Sequence, residues 1–218
     1  KLPHNIETLL NENFGSLPLN KAQLPHLTHS AEAATEKKYR IINDKEGIQG
    51  AIRIASHFPG IHHPHFTKAQ VLNTLFGGYF GSRLMSNIRE DKGYTYGIHS
   101  YMQNHVQQSA WMISTEAGKE VCEATITEVY KEMQVLREKT VSEEELLLVK
   151  NFLIGTILGD LDGPFHIIGR WKNIILNELA EDYFYTSVAG IKNVTTKEIQ
   201  ELANQYLLPE KFYELVVV

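Results

Sequence analysis

The sequence predicts an α+β domain, a mixed and mainly antiparallel β-sheet with helices packed on one face. Three observations predict it. Short runs rich in β-branched and aromatic residues lie near 39–43, 47–57, 94–116 and 212–218. Apolar residues at helical spacing fill the longer stretches between them, chiefly 118–138 and 143–159. The order is strand, helix, antiparallel strands, several helices and a last strand, which suits helices collected on one side of a sheet.

Each element has its own signal. Ile6, Leu9, Leu10 and Phe14 repeat at helical spacing and Gly15 offers a stop, so a short amphipathic helix is expected over 4–14. Residues 15–38, rich in Pro, Asn, His, Ser and Thr, read as a linker. Strands follow at 39–43 and 47–57, the second marked by Ile48, Ile52 and Ile54. Pro59-Gly60 and His62-His63-Pro64-His65 form a loop. Thr67 is the expected N-cap of a helix to Phe76, the glycines at 77–81 interrupt it, and a second helix covers 82–91.

Residues 94–104 and 107–116 read as two strands joined by a tight turn near Asn104-His105. A helix over 118–138 places Val121, Ala124, Ile126, Val129, Met133 and Leu136 on its apolar positions. Ser142 and Glu145 form a capping box for a helix to Gly159. The stretch Gly159 to Pro164 breaks it, and another helix runs to Leu179. Thr195 to Glu198 caps a last helix over 196–206, Pro209 ends it, and Phe212–Val218 is the terminal strand.

Composition narrows the function. With 218 residues, 43% hydrophobic and 22% charged, the chain reads as soluble and globular, with enough length for a sizeable core. A net charge of -5 argues against a nucleic-acid binder, which carries a basic excess. The single cysteine, Cys122, excludes an internal disulfide framework and a cysteine metal site, and it reads as a small core residue. No stretch approaches the roughly 18 apolar residues of a membrane span, and no signal-peptide pattern occurs. The sequence leaves the compartment open between cytoplasm and periplasm. Lys1 in place of Met, and a hydrophobic strand at the very end, create the expectation of a piece cut from a longer parent.

Ten histidines invite a zinc site. A helical zinc site needs ligands one turn apart with an acid between or beside them, as H-E-x-x-H or its inversion H-x-x-E-H. Neither occurs, no Glu-His dipeptide exists, and Pro64 breaks any helix through the 62–65 tract. The histidines therefore read as solvated loop residues. No serine sits in a G-x-S-x-G elbow. Asp160 and Asp162 lack the downstream ligands of a calcium loop and read as a turn. The glycines at 77–81 lack the G-K-[ST] of a P-loop and follow a helix, so close approach of backbone is their expected use.

Arg89 and Tyr96 remain, seven positions apart across Gly93. A guanidinium presents a rigid fork of donors to carbonyl or carboxylate oxygens, and a phenol can donate to a carbonyl or an oxyanion. The pair can bind a peptide and cannot cleave one unaided. Spacing alone favours the competing reading, in which Arg89 pairs with Glu90 or Asp91 at the surface and Tyr96 lies in the core.

A longer pattern surrounds the pair. Phe76-Gly77-Gly78, Ser82-Arg83-Leu84, Ile88-Arg89-Glu90 and Gly93-Tyr94-Thr95-Tyr96-Gly97 follow in that order. Val141-Ser142-Glu143-Glu144-Glu145-Leu146, then Asn193-Val194-Thr195 and Gln205-Tyr206-Leu207, lie further on. Together these resemble the second half of the pitrilysin/insulinase-like zinc metallopeptidases. The resemblance covers nearly the whole chain and is best from residue 48 onward. Gly81 stands where a small polar residue is common in that family, and Tyr94 where Leu is common.

The resemblance implies the metalloenzyme fold shared by LuxS and mitochondrial processing peptidase. It implies two homologous halves facing each other across a chamber, fused or as separate subunits. One half carries the inverted zinc motif and polarises a water, with a glutamate as base. The other lacks the motif and offers Arg89 and Tyr96 to the substrate peptide. On this reading residues 1–38 are the end of the preceding half and a linker, and 39–218 are the zinc-free domain. This chain would hold no catalytic residue and no metal, with zinc expected in the partner half, and alone it would be inactive. A non-catalytic structural subunit of the same fold, as in respiratory-complex core proteins, is the alternative.

Overall fold

A computed structural model describes residues 3–18, 34–105 and 109–218. It separates into two units, Lys1–Ala34 and Thr35–Val218. In the first, helix α1 (Ile6–Phe14) ends against Gly15, whose N–H bonds the Asn11 carbonyl, and it buries none of its side chains. The expected linker at 15–38 lies largely outside the described residues.

The second unit is built on a five-stranded sheet in the order β1-β5-β2-β4-β3. The strands are β1 (Lys38–Ile41), β2 (Gln49–Phe58), β3 (Ile98–Asn104), β4 (Ser109–Gly118) and β5 (Tyr213–Val217). Among the described residues only the β1–β5 pair is parallel. The mixed, mainly antiparallel α+β fold expected from the sequence is therefore the one observed. Strand β2 alternates strictly, with Gly50, Ile52, Ile54, Ser56 and Phe58 buried and Ala51, Arg53 and Ala55 half-buried. Strand β4 repeats the pattern, burying Trp111, Ile113, Thr115 and Ala117. One sheet face thus enters the core and the other stays open.

The helices α2 (Phe66–Asn73), α3 (Cys122–Glu138), α4 (Glu143–Gly159), α6 (Tyr183–Asn193) and α7 (Thr196–Tyr206) supply the rest of that core. Helix α5 (Pro164–Leu176) buries none of its side chains. Cys122 is buried as expected, and burial pushes its thiol up, which suits an inert core residue.

The structure differs from the sequence reading at several element ends. Helix α2 starts at Phe66 after His65, and Thr67 instead packs against Gly190 of α6, where an added Cβ would sit 3.1 Å from the Thr67 methyl. Helix α6 is not expected from the sequence pattern. Its Tyr183-Phe184-Tyr185-Thr186 start and internal Gly190 have low helix propensity, and close packing on α2 outweighs that preference. Ser142 accepts the Glu145 N–H as expected, but the Glu145 carboxylate is taken by Arg83 through two 2.8 Å bonds, so the capping box is half made. At Thr195 and Glu198 the reciprocal box is complete.

The chain between α2 and β3 departs most from a regular helix. Thr74–Gly78 and Met85–Asp91 form π-helical turns, each of which widens the helix by a residue. Gly77 explains the first. A Cβ there would lie 2.7 Å from the Ser100 Cβ and 2.9 Å from the Ser100 backbone nitrogen. Beneath this contact, buried Asn73 donates to the Ser100 carbonyl at 3.1 Å and accepts its hydroxyl at 2.7 Å, while the Trp111 indole donates to the same hydroxyl at 2.8 Å. Gly77→Ala is expected to cost about 1–3 kcal/mol, because the clash is with backbone that cannot swing away. Thermal unfolding measures it, and an unchanged midpoint would show that the two segments are not locked together here.

Candidate functional site

Both predicted residues, Arg89 and Tyr96, line one hollow of about 460 Å³ with Gln49, Glu90, Gly93 and Glu116. Arg89 belongs to the second π-helical turn. Buried Ile88 anchors the turn, and Arg89 is left half-exposed at its edge. The turn ends at Gly93, whose φ of 65° lies in the left-handed region that favours glycine. There the Gly93 N–H reaches the Arg89 carbonyl at 3.2 Å and the Tyr94 N–H reaches the Ile88 carbonyl at 3.0 Å. The chain reverses toward the sheet over those bonds.

Tyr96 does not begin a strand, contrary to expectation; β3 starts at Ile98. The reason is Thr95. Its hydroxyl donates to the Glu116 carbonyl at 2.6 Å, accepts the Gly97 N–H at 3.1 Å and lies 2.8 Å from the Thr115 hydroxyl, which in turn donates to the Gly97 carbonyl at 2.8 Å. One side chain thus satisfies groups that a regular ladder would pair. The backbone bows outward, and Tyr96 is 94% exposed. The competing expectation of a core tyrosine is overturned. Its other half is found, since Arg89 Nη1 does pair with Glu90.

Arg89 has a second neighbour. Its guanidinium carbon lies 4.7 Å from the centre of the Phe80 ring, within cation–π range. Phe80 follows the Gly77-Gly78 turn and is 67% exposed. With Nη1 paired to Glu90, Nε and Nη2 are the donors this contact leaves for another group. The sequence reading missed Phe80, Thr95, Gln49 and Glu116. Thr95 lies inside the Gly93–Gly97 motif, where nothing marks its bonding role, and Phe80, Gln49 and Glu116 come from three other segments.

Among the described residues no three His, Cys, Asp or Glu side chains gather as a metal site. In the histidine tract, His65 Nδ1 is 2.9 Å from the Tyr206 hydroxyl and the His65 N–H donates to His63 Nδ1 at 3.1 Å. Burial and the neighbouring His65 both push the His63 imidazole down. Asp160 accepts from Arg170 at 3.0 Å and closes the turn between α4 and α5. Among the described residues no helix is long and apolar enough to cross a membrane.

Residues 1–153 match the family described as the peptidase M16 inactive domain. An uncharacterized zinc protease of Rickettsia felis is 30% identical over 157 residues, which is 65% of this chain and 38% of that protein. The chain spans only 38% to 46% of the length of the curated relatives it matches. A protease from Helicobacter pylori superposes over 100% of this chain and 53% of its own, with a TM-score of 0.87 at 13% identity. A chain of complex III2 from Candida albicans superposes over the same shares with a TM-score of 0.76 at 14% identity. These likenesses to solved structures carry the fold.

Proposed function

The chain belongs to the peptidase M16 inactive-domain family, and from that premise we propose that it is the zinc-free, substrate-clamping half of a pitrilysin/insulinase-like zinc metallopeptidase. Its partner is a zinc-bearing half, in the same chain or in a separate subunit, and its ligand is a peptide. Zinc and the hydrolytic step belong to that partner.

The carrying observation is the placement of an almost fully exposed Tyr96 and a half-exposed, stacked Arg89 on one hollow. An exposed tyrosine held up by a bonded neighbour contributes nothing to the core, so its position asks for a ligand. The Arg89 fork donates to a peptide carbonyl and the Tyr96 hydroxyl donates to another. Fixing two carbonyls removes rotational freedom from the bound peptide, which is worth most when the reacting groups lie on a second body. The short helix and linker before β1 go with this reading as the end of the preceding half, with Lys38 belonging to the strand and so to the zinc-free domain.

A scaffold subunit is the second reading, favoured by the likeness to the complex III2 chain. The test of the first is direct. The pure chain, titrated with zinc in a calorimeter and incubated with a quenched fluorescent peptide, is expected to show no stoichiometric zinc binding and no cleavage. Submicromolar zinc affinity together with proteolysis would overturn it.

A further inference from the structure

We propose that the open sheet face beside Tyr96 is a carboxylate subsite, with Arg53 as its recognition group, so that the clamp prefers a peptide carrying a carboxylate next to the held carbonyls. This rests on the reading of Arg89 and Tyr96 as a peptide clamp.

Tyr96 stands between two hollows. One, of about 460 Å³, contains Arg89. The other, of about 320 Å³, contains Arg53, His99 and Ser114. Gln49, Thr95, Tyr96 and Glu116 line both. A peptide held at Tyr96 therefore lies against the second hollow as well as the first.

Strand register builds that second hollow. Arg53 pairs with Ser114 and Ser114 with His99, which sets a guanidinium, a hydroxyl and an imidazole in one row across β2, β4 and β3. The row lies on the open face, since the alternating neighbours Ile52, Ile54, Ile113 and Ile98 are the buried ones. The next row on that face is Ala55, Met112 and Tyr101, an apolar floor for a side-chain stem.

Arg53 is held without being used up. Its Nη1 donates to the Ile52 carbonyl at 2.8 Å and to the Thr115 carbonyl at 3.2 Å. Those bonds fix the guanidinium against the sheet, and among the described residues Nε and Nη2 have no protein acceptor. Arg40, Arg83, Arg89 and Arg170 each hold a carboxylate. Arg53 holds none among the described residues, although Glu116 shares its hollow. A fixed, half-buried guanidinium with unspent donors recognises a carboxylate. Exposed Glu116 at the rim opposes a second negative group, which restricts the preference to one.

The test uses amide shifts of the chain in NMR titrations with short, end-blocked alanine-serine peptides. Each carries one glutamate, moved through every position in turn, beside a glutamine twin. A glutamine peptide with a free C-terminus separates a chain-end carboxylate from a side-chain one. At one position the glutamate peptide is expected to bind about fivefold tighter than its twin, or the free-ended peptide tighter than the blocked one, shifting Arg53, Ser114 and His99. Arg53→Gln is expected to erase that difference, and Glu116→Gln to widen it. Equal binding of all twins and of both end forms, with Arg89 and Tyr96 shifting, would overturn the subsite and leave the clamp standing. Peptides that shift neither group of residues would overturn both readings.

Discussion

Arg89→Ala, placed in the assembly with the zinc-bearing half, is expected to lower kcat/KM for a peptide about ten- to a hundredfold. Losing one hydrogen bond to a charged group costs about 1.5–3 kcal/mol, and each 1.4 kcal/mol is roughly a factor of ten in rate. Tyr96→Phe removes a neutral donor and is expected to cost about two- to tenfold. Stability should hold in both variants, because Tyr96 is 94% exposed and Arg89 bonds only its neighbour Glu90 among the described residues. Peptide turnover and thermal unfolding measured on the same preparations decide the matter. Unchanged turnover with intact folding would assign the chain to the scaffold reading. A loss of turnover confined to KM would assign the pair to ground-state binding rather than to the reacting carbonyl.

Glu214→Gln is expected to be strongly destabilising, by about 2–3 kcal/mol at neutral pH, against roughly 3–5 for breaking a fully enclosed ion pair. Glu214 is 2% exposed at the centre of a cluster that ties the edge strand β1 to α3. It accepts from Arg40 at 2.6 Å, from the Tyr130 hydroxyl at 2.9 Å and from Lys38 at 3.2 Å. The discount reflects Lys38 and Arg40, which reach solvent and can rehydrate. Burial works to raise the Glu214 carboxyl, but the bonds from Arg40, Tyr130 and Lys38 outweigh it and hold it below the usual carboxylate range. Burial and the Glu214 charge in turn push the Tyr130 phenol up.

A carboxyl depressed in the folded state binds its proton more readily when unfolded. Its contribution is complete above the unfolded value, about 4.3, and is lost as pH falls through the lower, folded one. Urea unfolding should therefore show a gap of about 1 M between wild type and variant at neutral pH, closing as the pH is taken below 4 or so. A gap that stays constant with pH would mean that shape, not charge, is what the cluster needs.

Local signals were the legible ones. The Thr195–Glu198 box needs only four consecutive residues, and it forms as written. The Ser142–Glu145 box has the same pattern, yet Arg83, distant in sequence, claims the Glu145 carboxylate. The strand alternation of β2 and β4 was readable because a half-buried sheet imposes it, and it fixed which residues enter the core. Helix α6 was not readable. Its own residues disfavour a helix, and the gain comes from packing Gly190 onto Thr67.

The sequence by itself determined the fold class, the absence of an H-E-x-x-H or H-x-x-E-H motif, and the Arg89–Gly93–Tyr96 spacing. Periodicity and motif are properties of neighbouring residues, so a one-dimensional reading reaches them. Tertiary structure alone decided where the pair stands. Thr95 takes the ladder bonds and throws Tyr96 out of the sheet, Phe80 steadies Arg89, and strand register sets Arg53 on the far side of the same tyrosine. Those contacts join segments far apart in the chain, and only the packed sheet brings them to one place.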